Sequence, residues 1–246
     1  MAAFQNPSET SKGKTEEFYL QLARGHISNH YHNHKFGAVP AMSQNETGTI
    51  WDVNDTTYPW NVWSTPGSVT IPTVNASDAG KSVTVQGLGE DFKFQEEILT
   101  VANGTPVASQ QSFYRVNRAF ISDGANVGVI NITKNANTVA KINEGKGQTL
   151  MAVYTVPADQ KGYIIHGTCS CQAGADATVD LFARYGGQGA FRVGHSFEVS
   201  GTGGQYNYTF GVPLELPEKT DIDVRASVRS NNARITAAFD IILIDM

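Results

Sequence analysis

The segment HISNHYHNH, residues 26–34, gathers four of the chain's six histidines. His30, His32 and His34 are spaced two apart, which on an extended strand sets three imidazoles on one face at intervals of about 6.5–7 Å. Neutral imidazole is a common ligand of transition metals. One chain can therefore offer a His-x-His pair to a metal whose other ligands come from distant strands, or a homotrimer can bring two such ligands per subunit to its threefold axis. The competing expectation is a polar, partly exposed strand or loop whose histidines only make hydrogen bonds. His166 and His195 are the remaining two, each in a run with apolar neighbours.

Other chemistry-bearing groups are sparse. Cys169 and Cys171 lie in GYIIHGTCSCQA, where a strand would turn both thiols the same way. Together with His166 they make three ligands without a fourth, and zinc usually takes thiolates at Cys-x2-4-Cys spacing, so two small buried hydrophobes are the expectation. Glu96 with Glu97, and Asp221 with Asp223, are carboxylate pairs of the kind that glycosidases use. Neither carries a partner that marks a raised-pKa acid, and ordinary solvated strand faces account for them. No serine sits in a Gly-x-Ser-x-Gly elbow, and the glycine-rich RYGGQGAFRVGHSFEVSGTGGQY lacks the Lys-Ser/Thr of a phosphate loop, leaving its glycines to turns and bulges. No catalytic residue is assigned. Trp51, Tyr58, Trp60 and Trp63 cluster in WDVNDTTYPWNVW. Exposed, they would form a platform for sugar rings or a protein partner; buried, they would anchor a loop between domains or subunits.

The elements that must position these groups are strands. Charged residues make up 17% of the chain, below the usual quarter or so, and Asn, Thr, Ser, Gln and Gly supply the polarity instead. The net charge of −5 comes without a run of Lys or Arg, so neither nucleic acid nor an acidic membrane surface is expected as a partner. The polar start, MAAFQNPSETSKGKTEE, reads as neither leader nor span, and the chain is expected to fold in a reducing cytoplasm. From residue 68 onward, short runs rich in Val, Ile, Thr and aromatics alternate with Gly, Asn, Asp and Pro turns, as in SVTVQGL (82–88) and TVDLFARYG (178–186). The pattern is interrupted at EGKGQ (144–148) and then starts again. An all-β chain follows, with two successive antiparallel β-sandwich, jelly-roll-like domains and an extended N-terminal arm. The expected divisions are an arm and entry segment over 1–47, a first sandwich over 48–146 and a second over 147–246. The apolar last strand, AAFDIILID, is expected to be central in its sheet.

Several segments carry a resemblance as an ordered set: FYLQLARG, GTIWD followed by YPW, NASDAGKSVTVQGLGEDF, FYRVNRAFISDGANVGVINI, INEGKGQTLMAVYTVPA and LPEKTDIDVRASVRSNNARITAAFDIILID. Taken together the chain resembles virion structural proteins of tailed bacteriophages, of the marine and cyanobacterial phage type, over nearly its whole length. The resemblance implies a non-enzymatic β-rich component of the particle, homo-oligomeric, assembled in the host cytoplasm with other capsid or tail proteins. A trimer is favoured. Head decoration and attachment at the tail or neck are both open, with the 51–63 loop and the arm as attachment elements. Two rival readings differ in class: a receptor-binding module presenting the tryptophans to a host glycan or surface protein, and a metal-dependent enzyme built on the histidines.

Overall fold

The computed structural model describes residues 3–4, 16–200, 204–230 and 232–246. Residues 5–15 of the expected arm and entry segment lie outside the described residues. A two-stranded pair, β1 (Ala3–Phe4) with β2 (Glu16–Glu17), precedes a six-residue helix α1 (Phe18–Ala23), which Glu17 caps by accepting hydrogen bonds from the Tyr19 and Leu20 backbone amides. Everything that follows is β-structure with short 3-10 turns. In chain order the strands are β3 (His30–Met42), β4 (Thr47–Thr49), β5 (Thr70–Ile71), β6 (Ser82–Leu88), β7 (Phe94–Thr100), β8 (Val107–Ala108), β9 (Arg115–Ile121), β10 (Ile130–Lys134) and β11 (Asn137–Ile142). After them come β12 (Val153–Thr155), β13 (Gln160–Cys171), β14 (Asp176–Arg184), β15 (Arg192–Val199), β16 (Gln205–Leu216), β17 (Asp221–Ser230) and β18 (Ala233–Asp245). No helix among the described residues is long and apolar enough to cross a membrane.

Two sheets pack face to face around one core. The first has the order β16-β13-β18-β3, the second β12-β17-β14-β15, with β4 also paired to β17. Period-two alternation builds both: in β14, Ala177, Val179, Leu181 and Ala183 point inward while their neighbours do not. β18 is interior to its sheet, between β13 and β3, as its apolar run requires. β4 and β12 lie end to end along the same edge of β17, pairing with Arg225–Ser227 and with residues 221–223 respectively. Between them Val224 accepts a hydrogen bond from the Ile50 amide at 2.8 Å and donates to the Ala152 carbonyl at 3.1 Å. β4 and β12 are thus one interrupted strand. Counted so, eight strands wind in the order 1-8-3-6 in one sheet and 2-7-4-5 in the other, which is a single jelly roll.

The interruption is where the remaining sheets enter. The chain leaves after Ile50 and returns at Ala152, whose amide donates to the Ile50 carbonyl at 2.9 Å and closes the neck. The intervening residues form a four-stranded sheet, β11-β10-β5-β8, and a three-stranded sheet, β7-β6-β9, around their own core of Val69, Val83, Phe113, Ile130 and Ile142. The β-modules are therefore nested and not successive. Residues 30–49, assigned to an arm and the start of a first domain, supply the edge strand β3 and half of an interrupted strand to the jelly roll. The physical reason is pairing: β3 hydrogen-bonds along β18 from His30 opposite Ile244 to Met42 opposite Ala233, and without it the inner strand β18 would be an open edge. Residues 144–148, read as a join between domains, are held within the insert, where the Gly145 amide donates to the Asn126 carbonyl at 3.0 Å and the Ile121 amide to the Gly147 carbonyl at 2.8 Å.

Candidate functional site

The histidines on β3 do not act as a set of three. His30 turns its Nδ1 to the Ser28 carbonyl at 2.8 Å. His32 Nε2 and His34 Nδ1 both meet Asp240 Oδ1, at 2.9 and 2.8 Å, and His166 Nδ1 lies 3.4 Å from Asp240 Oδ2. Strand register explains the grouping, because His34 on β3 and His166 on β13 are both cross-strand partners of Asp240 on the strand between them. Asp240 is the organiser that the histidine spacing could not show, and His166 replaces His30 as the third imidazole. Burial alone would raise the Asp240 carboxyl, but hydrogen bonds from His34 and His32 outweigh it and hold the group below the ordinary carboxylate value. Among the described residues no three His, Cys, Asp or Glu side chains stand as a metal-holding group within the chain. The cluster borders a pocket under α1 lined by Tyr19, Leu22 and Thr209. It contains bases and a carboxylate but no activated nucleophile, and each imidazole nitrogen facing Asp240 is used in holding the strands together.

The aromatic cluster is internal. Trp51, Tyr58, Trp60 and Trp63 are between 2% and 8% exposed, so they form no surface platform and no attachment surface. They belong to the core of the insert and close it against the jelly roll. Trp60 donates from Nε1 to Asp223 Oδ2 at 2.8 Å and packs on Phe191, with ring centroids 5.3 Å apart. Trp63 donates to the Tyr58 hydroxyl at 3.2 Å, and burial pushes the Tyr58 phenol well above its usual range.

At this join the two carboxylates of β17 take roles that the sequence does not foretell. Asp221 and Asp223 are not on a solvated face: both are fully buried. Arg115 of the insert grips Asp221 through Nε and Nη2 at 2.8 and 3.0 Å, and Arg184 adds a bond of 2.6 Å from Nη2. Asp223 accepts from Thr49 Oγ1 at 2.8 Å and from Arg225 Nε at 2.8 Å. Burial raises the Asp223 carboxyl even against those partners. The guanidinium of Arg115 lies over Trp60, and that of Arg184 lies over both Trp60 and Phe191. Desolvation makes such pairs weak sources of net stability but costly to break, so the network fixes how the insert seats on the jelly roll.

The remaining sequence candidates are structural. Cys169 and Cys171 are free and buried in the jelly-roll core, where burial pushes the Cys169 thiol up to about 12 and also raises Cys171. His166 projects from the opposite face of β13 and shares no site with them. Glu97 accepts from the Gln110 and Gln111 amides and braces the loop after β8, while Glu96 accepts from its cross-strand neighbour Gln86. His195 sits among Phe197, Tyr208 and Phe210 where β15 and β16 meet, with Nε2 lacking a hydrogen-bond partner among the described residues.

No protein-family model and no curated protein matches the chain. Solved structures show distant likenesses. A chain of the broad bean stain virus structure is 13% identical with a TM-score of 0.24, the match covering 72% of this chain and 83% of that one. A chain of the cowpea mosaic virus top component, described as naturally occurring empty particles, is 11% identical with a TM-score of 0.23, covering 71% and 80%. A chain of infectious bursal disease virus, Gt strain, is 11% identical with a TM-score of 0.21, covering 89% and 73%. At these TM-scores the likenesses carry no argument, and the jelly roll is established by strand order alone.

Proposed function

We propose that the chain is a non-enzymatic structural component of a virus particle, of the tailed-bacteriophage kind its segments resemble. It works through protein–protein contacts as a homo-oligomer, decorating the head or attached at the tail or neck. The observation that carries this reading is the open corner of the jelly roll. There β15 and β16 end their respective sheets, and among the described residues each is paired on one side only. Val193 and Val212 project from them at 53% and 83% exposure, beside the His195, Phe197, Tyr206, Tyr208 and Phe210 rings. Two adjacent free edges with exposed apolar and aromatic side chains are a template for another chain. A second copy of this chain is the occupant of that corner in the proposed assembly. The receptor-binding reading needed exposed tryptophans, and these are buried; the enzyme reading needed His30, His32 and His34, of which the first is engaged by the Ser28 carbonyl and the other two by Asp240.

Light scattering of the purified chain is expected to give an oligomer, a trimer in this reading, that Val212→Lys dissociates. Cryo-EM of intact particles is expected to place the product on the head, tail or neck. A stable monomer that associates with neither capsid nor tail proteins overturns the proposal.

A further inference from the structure

A second cleft, of about 270 Å³, opens between β3 of the jelly roll and the β6 and β9 strands of the insert. Lys35 forms its floor. Strand alternation turns this side chain away from the His32–His34 face and into the join, where the residue is 6% exposed. Its ammonium donates to the Asn117 carbonyl. An ammonium carries three donors and a full charge, yet among the described residues no carboxylate pairs with Lys35, and no Asp or Glu lines the cleft. Arg118 stands at the mouth, exposed, with Nη2 on Gln148 Oε1 at 2.8 Å. In a chain of net charge −5, two cations come together with no acid in the lining, Glu96 touching it as the acceptor of the Gln86 amide at 3.0 Å.

The rest of the lining suits an organic anion. Asn33, Gln86 and Gln148 supply amide donors and acceptors, while Phe36 and Phe94, 37% and 63% exposed, supply apolar walls. One buried ammonium balances one negative charge, so a singly charged carboxylate leaves no excess buried charge where a dianionic phosphate would. We propose that this cleft binds a small organic carboxylate, with Lys35 as the buried counter-charge and Arg118 as the fork at the entrance. The site goes beyond the particle role and stands independently of it.

Burial, then the charge of Arg118, draws the Lys35 ammonium down to about 7. The other titratable groups at the cleft are Tyr154, whose phenol burial pushes up to about 12, and His34, whose ring is held by Asp240. Carboxylate binding needs Lys35 protonated and is therefore expected to weaken as pH rises through about 7.

The test is calorimetric titration of the full chain with glucuronate, acetate and inorganic phosphate. One glucuronate site per chain is expected, weakened about tenfold or more in Lys35→Met and in Arg118→Gln, and weaker at about pH 8.5 than at about pH 6. Arg118 is exposed, so its variant keeps the test valid if Lys35→Met fails to fold. Three results each overturn the proposal: no carboxylate binding at millimolar concentration, binding unchanged in Arg118→Gln, or binding of phosphate alone.

Discussion

Asp240 shows how one half-buried carboxylate changes the meaning of a motif. The alternation of His30, His32 and His34 was legible in the sequence, and so was their extended conformation as one reading. Their partner was not, because Asp240 is more than two hundred positions away and is brought across by the pairing of β3 with β18. Asp240 is held below the ordinary carboxylate value, so its bonds contribute stability above the unfolded value of about 4 and lose it as pH falls through the folded one. Asp240→Asn is expected to cost about 1 kcal/mol at neutral pH, measured by urea unfolding. The gap from the parent should narrow steadily as pH falls below the ordinary carboxylate value; a gap that does not change with pH would show that the carboxylate charge is not its source.

For the elements, the interrupted strand depends on a glycine. A Cβ on Gly37 of β3 would overlap the backbone of Ile50 and Ala152, the two residues whose hydrogen bond closes the neck of the insert. Gly37→Val is therefore expected to destabilise the chain by about 3 kcal/mol or more. Gly211→Ala on β16, where an added Cβ meets nothing, should stay within about 0.5 kcal/mol. Equal melting temperatures for the two variants would remove Gly37 from this role. The same glycine explains why β3 was hard to read. β6, β14 and β18 show their boundaries through periodic apolar residues, whereas HYHNHKFGAVPAM has a polar first half, a buried lysine and a glycine at its tightest contact. Those features belong to a strand whose second face meets another module, and local alternation does not encode that.

At the scale of the whole molecule, the insert and the jelly roll share a buried ionic join, which should make them unfold as a unit. Scanning calorimetry is expected to show one transition for the parent chain. Arg115→Met removes the only cation that crosses from the insert to Asp221 among the described residues, while Arg184 still pairs with that carboxylate. We expect a loss of about 2–3 kcal/mol and a separation into two transitions. A single unshifted transition would mean that apolar packing alone couples the modules.

The amino-acid sequence by itself determined the all-β class, most strand positions from β6 onward, the central place of the last strand and the burial of both cysteines. Each of these follows from local periodicity or local composition, which a strand carries within its own few residues. Only the tertiary structure decided that the modules are nested, that the tryptophans are internal, that Asp221 and Asp223 are buried counter-ions, and that Asp240 gathers the histidines. All four depend on partners far apart in the chain. What decides them is the free-energy cost of leaving a strand edge, a carboxylate or an indole N–H unpaired once water is excluded, and that cost acts only between surfaces the fold has already brought together.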